Sequence, residues 1–325
     1  MQKGGHIMKR MRCWWLCLIL AGILAGCGRQ EVVSWEVTCP WAETGVAAMI
    51  NNKTAEMSEK FSNKIILEAE AVKGDAKTVN QWVKENSADS KALVFAGEGL
   101  FAIAPIMNSE SLEFSFEDFT FVENLYSSVF VMSARADLNL TSILDVQMYM
   151  SNGEKVKVAV NGKASSESFL TYAFFGAMSH VDDVELVVCE SAAEAADAVV
   201  EGRADFAVSH QSQILEAYEQ GKVTMVCAFD KEDIVEGPFT GVEGVGKYGY
   251  PYFRNCCFIM APKGVNTGEI TQVKNLYHKL VEQEEITDYY NEMMVEVDLM
   301  TEQEVLEHLE NVSNIVNGYR VLFEE

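Results

Sequence analysis

Residues Lys155–Phe175 read KVKVAVNGKASSESFLTYAFF, and this stretch decides the fold class. Val156, Val158 and Val160 alternate with polar or small residues, as on a half-buried strand. Asn161-Gly162 breaks the run, because both residues tolerate left-handed backbone angles. Ser165 and Ser166 stand where a helix N-cap belongs, and Phe169, Tyr172 and Ala173 recur at helical spacing. The pattern predicts strand, tight loop and helix. Such a loop presents free N–H groups, hydroxyls and the Lys163 ammonium, which together suit an anion. An ordinary strand-to-helix turn carries the same signature.

The same rhythm extends in both directions. Upstream, Val32–Thr38 reads as a strand, Cys39–Gly45 as a loop and Val46–Phe61 as a helix with Val46, Met49, Ile50 and Met57 on one stripe. Ile65–Ala71 is a second strand. Gly74-Asp75 turns into a helix carrying Val79, Trp82 and Val83, and Ala92–Ala96 is a buried strand ending at Gly97-Glu98-Gly99. This β-α-β-α-β order predicts a parallel sheet with helical crossovers. Phe101–Pro105 and Leu112–Phe119 read as a connection, and Phe121–Ala134 as an extended run long enough to pass between lobes. Ser142 and Asp145 have capping-box spacing, with Asp in place of Glu.

Downstream come strand Val184–Cys189, helix Ala192–Val200, strand Ala204–Ser209, helix Gln213–Gln220 and strand Val223–Ala228. Asp230–Tyr250 reads as a surface loop, and Arg254–Ala261 as the return to the first lobe. Two amphipathic helices close the chain. Thr267–Glu282 has its stripe at Ile270, Val273, Leu276, Tyr277 and Leu280, and Thr301–Leu322 at Leu306, Leu309, Val312 and Ile315. The expected fold is α/β, two lobes with a cleft where strand C-termini and helix N-termini meet.

The N-terminus reads as an export signal. Lys3, Lys9, Arg10 and Arg12 precede the apolar run Cys13–Leu24, which is short for a membrane span. Leu24-Ala25-Gly26-Cys27 then looks like a lipoprotein signal, with cleavage before Cys27 and lipid on its thiol. Cleavage takes away four positive charges and moves the net charge from −24 to −28. A chain this acidic repels phosphate and is not expected to bind nucleic acid. It also repels anions at long range, so an anion site must rest on local donors. Of eight cysteines, Cys39, Cys189, Cys227, Cys256 and Cys257 remain after processing and lipidation. Five thiols cannot all pair within one chain, and CxxC spacing is missing, so buried free thiols are expected.

Several separated segments resemble one family, the extracytoplasmic solute receptors of tripartite tricarboxylate transporters (Bug or TctC). Leu112–Thr120, LEFSFEDFT, is similar to its L-P-Y-D-P-x-x-D-F-T. Asp197–Asp205, ending Gly202-Arg203-Ala204-Asp205, is similar to D-L-L-x-G-x-V-D. Gly221-Lys222-Val223, Gly249-Tyr250-Pro251 and Ala261-Pro262-Lys263-Gly264 look like G-K-h, G-Y-P and A-P-x-G. The resemblance runs from about Trp35 to the C-terminus. It implies a type II periplasmic-binding-protein fold that closes on a small carboxylate and serves a membrane permease. On that basis 1–26 is the signal, 27–132 the N-terminal part of lobe one, 133–253 lobe two and 254–325 the return with the C-terminal helices.

The family's ligand loops map onto three places here. The first supplies Trp41, Thr44 and Gly45, the second Gly97 and Gly99, and the third Gly162, Lys163, Ala164, Ser165 and Ser166. Glu190 and Asp205 complete the expected binding set. This chain departs from the family pattern. Glu43-Thr44 replaces Pro-Gly, Ala48 replaces an Asp, and Cys189-Glu190-Ser191 replaces Y-K-G. Glu43, Glu98, Glu167 and Glu190 bring negative charge near the expected cleft. Either the ligand is zwitterionic or cationic, or these glutamates point into solvent, the commoner fate of Glu and the one expected for each singly.

Enzyme chemistry lacks a constellation. G-x-S-x-G, H-E-x-x-H, paired cysteine ligands and nucleotide loops are missing from the sequence. Asp205 and His210 read as a strand-end acid and a helix-start histidine rather than a dyad. The expected activity is therefore capture of a small organic acid or amino-acid-like ligand by a monomer tethered through Cys27, without cofactor or metal. A ligand-sensing lipoprotein signalling to a membrane kinase and an exported hydrolase are the other two readings.

Overall fold

The computed structural model describes residues 32–62 and 64–323. The signal segment and Cys27 lie outside the described residues. In the first part of the chain β1 (Val33–Cys39), α1 (Val46–Phe61), β2 (Ile65–Ala71), α2 (Asp75–Glu85) and β3 (Ala92–Gly97) alternate as their periodicity demands. The next segment is not the connection expected from sequence. Gly99–Ile103 winds as a π-helix into α3 (Ala104–Met107), and Leu100, Ala102, Ile103 and Ala104 are buried. A run of small and apolar residues has no polar face with which to be a surface loop.

The extended run from Phe119 divides at Val129 into β4 (Phe119–Ser128) and β5 (Phe130–Arg135). There follow α4 (Ile143–Ser151), β6 (Val156–Asn161), α5 (Ser166–Ala177), β7 (Val184–Cys189), α6 (Ala192–Val200), β8 (Phe206–His210), α7 (Gln211–Glu219) and β9 (Val223–Ala228). β10 (Asn255–Pro262), α8 (Thr267–Val281), α9 (Glu284–Glu292), β11 (Glu296–Val297) and α10 (Glu302–Gly318) complete the chain.

Two sheets result. The first has the order β11-β4-β10-β3-β1-β2 and the second β7-β6-β8-β5-β9. β1, β2 and β3 run parallel, as do β6, β7 and β8. β4 and β5 are antiparallel members of different sheets, separated by one residue. β10 brings the chain back by pairing antiparallel with both β3 and β4.

The core follows strand alternation. On β3, Ala92, Val94 and Ala96 join a hydrophobic cluster that also takes Met132, Val158 and Phe206 of the second sheet. Leu93 and Phe95 face the other way, into a cluster confined to the first lobe. The C-terminus also ties the lobes. Phe169 of α5 stacks on Phe253 with centroids 6.0 Å apart and meets Tyr319 and Phe323 edge-on.

The stripe on α8 is buried as expected. On α10 it is rotated. Val305, Leu309, Val312 and Val316 are buried, whereas Leu306 is 41% exposed. Thr301 caps the helix with Glu304, so the first turn starts one residue later than the apolar pattern suggests. Leu309→Ala should lower unfolding stability by about 2–4 kcal/mol. Leu306→Ala should change it by no more than about 0.5 kcal/mol. Chemical denaturation of the two variants checks the assignment.

Candidate functional site: a cavity between the two sheets

The C-terminal ends of β1, β3, β6 and β8 converge on one cavity of about 350 Å³. It is lined from the first lobe by Trp41, Gly45, Gly97 and Gly99, and from the second by Gly162, Lys163, Ala164, Ser165 and Ser166. Thr44 is exposed and does not line it. Each glycine has a separate reason. Gly162 has φ +88°, a left-handed turn in which a side chain is strained. At Gly97 a Cβ would lie 2.8 Å from the Cys256 carbonyl oxygen, so β3 and β10 approach closely only without one.

Two expected site residues lie elsewhere. Asp205 sits at the opposite end of β8. Its carboxylate accepts from Lys157 N at 2.9 Å and faces Arg135 Nη1 at 3.4 Å. The five residues of β8 put about 16 Å between that end and the cavity. The G-R-A-D segment is thus a turn feeding the strand. Glu190 is solvent-exposed and pairs with Lys73 at 2.6 Å, joining the loop after β7 to the loop after β2. It bridges the lobes outside the cavity, and Lys73 holds its carboxyl below the usual range. From this loop it is Ala192 that lines the cavity.

The α5 N-terminus is built as expected, and its serine hydroxyls are engaged within the protein. Ser165 Oγ caps Ser168 N at 3.2 Å and donates to Gly162 O. Ser168 Oγ donates to the same carbonyl at 2.6 Å, and Ser166 Oγ donates to Glu98 Oε1 at 2.9 Å. Glu167, in the first turn, accepts from its own N–H. The helix therefore directs its positive end at a carboxylate of its own. The start of α1 differs. Val46 and Ala47 line the cavity, no side chain caps this end, and its first turn holds no acid. The start of α1 therefore offers donors to an anionic ligand group with no acid of its own in the way.

Glu98 and Glu167 do not point into solvent. Glu98 is fully buried and Glu167 is 6% exposed, and both line the cavity. Glu98 reaches Ser166 of the second lobe through Oε1 and Cys256 N of β10 through Oε2, the latter at 2.9 Å. Burial pushes both carboxyls up to about 7, and at Glu167 the neighbouring Asp75 and Glu98 add to the rise. Asp75 stands at the rim with φ 44°, in the left-handed region. The residue is exposed overall, but crowding by protein around its carboxyl raises the pKa against the lowering effect of Lys73. The glutamates follow a glycine and a serine pair at lobe-facing turns, and nothing in periodicity marks such positions as buried.

His210 also lines the cavity, at the end of β8. Its Nδ1 meets Ser128 Oγ at 3.1 Å, and burial lowers its pKa to about 4. Asp205 lies at the far end of the strand, so the ring is neutral and has no carboxylate behind it. A Ser–His–acid relay is not assembled here. Cys256 and Cys257 line the cavity as free thiols, buried as expected from their apolar run, and burial pushes both pKa values up.

No family model and no curated protein match this chain. Solved structures do. MatC from Rhodopseudomonas palustris with bound malate matches with TM-score 0.74 and 19% identity, over 90% of this chain and 100% of that one. R. palustris Rpa4515 with adipate matches with TM-score 0.79 and 16% identity, over 89% and 97%. The periplasmic binding protein BugD matches with TM-score 0.73 and 15% identity, over 90% and 97%. The fold is that of a two-lobed periplasmic binding protein. In such a fold the cavity described above is the space between lobes. Among the described residues, no helix is long and apolar enough to cross a membrane.

The raised carboxyls have a consequence for stability. In the unfolded chain these acids lose their protons near 4.5, but in the fold near 7. Their contribution is complete below about 4.5 and is lost as pH rises through about 7. Glu98→Gln should therefore gain stability relative to the parent between those pH values, with little relative change above. Denaturation curves of both proteins across that range check the sign.

Proposed function

We propose that this protein is an extracytoplasmic solute receptor of the tripartite tricarboxylate transporter type. It is exported, tethered through lipid on Cys27, and works as a monomer without cofactor. It captures a small organic acid between its lobes and hands it to a membrane permease. The observation that carries this reading is the cavity of about 350 Å³ walled by loops of both sheets. Structures of the same fold hold malate and adipate. A binding role also fits the histidine geometry, which offers no activated nucleophile. We assign 27–132 and 254–325 to one lobe and 133–253 to the other.

The ligand carboxylate is placed at the uncapped start of α1, with the Lys163 ammonium at the rim. Hydrogen bonds to a charged group contribute roughly 1.5–3 kcal/mol each. A few of them outweigh long-range repulsion from a screened acidic surface. Trp41 supplies an apolar wall beside this end.

A thermal-shift screen of the unlipidated protein against di- and tricarboxylates, amino acids and aromatic acids tests the proposal. A true ligand at a hundredfold excess over its Kd stabilises by about 2.7 kcal/mol, a shift of several degrees. Lys163→Ala should weaken its binding several-fold. Ser165→Ala should act through the α5 cap, with about 1 kcal/mol lost from the fold itself. A flat screen contradicts the receptor reading.

A further inference from the structure

The cavity carries its negative charge inside and its cations at the edge. Glu98 and Glu167 are buried in the inner wall, whereas Lys77 and Lys163 are exposed at the rim. Lys73, also at the edge, already pairs with Glu190. Among the described residues no cation pairs with Glu98 or Glu167. The charges that act on Glu167 are carboxylates, Asp75 and Glu98.

Acceptor capacity remains on both. An ionised carboxylate offers about four lone-pair sites. Glu98 receives Ser166 Oγ, Cys256 N and its own N–H. Glu167 receives its own N–H, while the Ser165 hydroxyl proton goes to Gly162 O. Glu167 is thus buried in the cavity wall with lone-pair sites left over and no cation against it. Buried acids without a counter-charge are costly, and the cost disappears when a cation is brought to them.

We propose that the ligand of this cavity carries a cationic nitrogen as well as a carboxylate, and that Glu98 and Glu167 hold the nitrogen. This rests on the receptor reading above and names the ligand class within it. The two ends of the ligand meet complementary walls. The carboxylate faces the start of α1 and Lys163, and the ammonium lies against the glutamates. An ammonium has three donors and no acceptor, which matches a pair of acceptor-only side chains. A dicarboxylate without nitrogen would place its second charge against Glu98 and Glu167, and would need them protonated. Asp75 at the rim extends the same preference outward, its Oδ2 lying 3.8 Å from where a Gly162 Cβ would stand.

Calorimetry with matched pairs that differ by one ammonium tests this. Suitable pairs are aspartate and succinate, glutamate and glutarate, and phenylalanine and phenylpropanoate. The amino member of the best-binding pair should bind about tenfold more tightly or better, as expected for a charged hydrogen bond. Glu167→Gln, which keeps the shape, should reduce that preference to within about twofold while the nitrogen-free member is unchanged or improved. A melting curve verifies that the variant is folded, and the wild-type pairs decide the matter if it is not. If nitrogen-free acids bind as well as their amino partners, the inference is overturned and the receptor reading stands. If no member of any pair binds while other carboxylates do, the inference is again overturned. If nothing binds, both fall.

Discussion

A carboxylate taken out of water must find donors, and Glu98 finds them in three different parts of the molecule. It leaves the end of β3, accepts the backbone N–H of Cys256 on the returning strand β10, and accepts the hydroxyl of Ser166 at the head of α5 in the second lobe. One side chain thus joins the outgoing chain, the returning chain and the opposite lobe. The Ser166 bond forms only when the lobes are close, and parting them exchanges it for water while the Cys256 N–H stays in place. That constraint works beside the hydrophobic cluster shared by the two sheets. The exposed Lys73–Glu190 pair repeats the link at the outer edge, where solvent weakens it.

Topology delivers the parts to the same place. Parallel strands bring β1, β3, β6 and β8 to the cavity by their C-terminal ends, and the helices that follow present their N-termini there. The helix starts then differ in what they offer. α5 is capped by Ser165 and faces Glu167, α6 is capped by Ser191, and α2 begins with Asp75. α1 and α7 have neither a side-chain cap nor an acid in the first turn, and of these two only α1 puts its first residues, Val46 and Ala47, in the cavity wall. The same scaffold therefore yields one electropositive wall and one acidic wall.

Much of the fold was legible because it rests on local periodicity. The alternation in Val156–Val160, the Asn161-Gly162 break and the Ser165 cap all recur in the structure, with Gly162 at φ +88°. What escaped was decided by tertiary contact. Glu98 and Glu167 look like ordinary polar residues of turns, and only the meeting of two lobes buries them. Phe101–Pro105 is helical and buried against α10, and its apolar run marks the burial but not the partner. Asp205 and Glu190 lie in family-like or family-variant segments, yet the first is on the wrong end of its strand and the second outside the rim. His210 lines the cavity through the same strand geometry that takes Asp205 away.

The central claim is that two glutamates stand in a shielded space between the lobes. Carbon-13 labelling of glutamate carboxyls, with resonances assigned through Glu98→Gln and Glu167→Gln, measures this directly. Both residues are expected to titrate near 7 in the ligand-free protein. Titration of both at the ordinary value near 4.5 would show that water fills the gap and that the lobes do not close around these side chains.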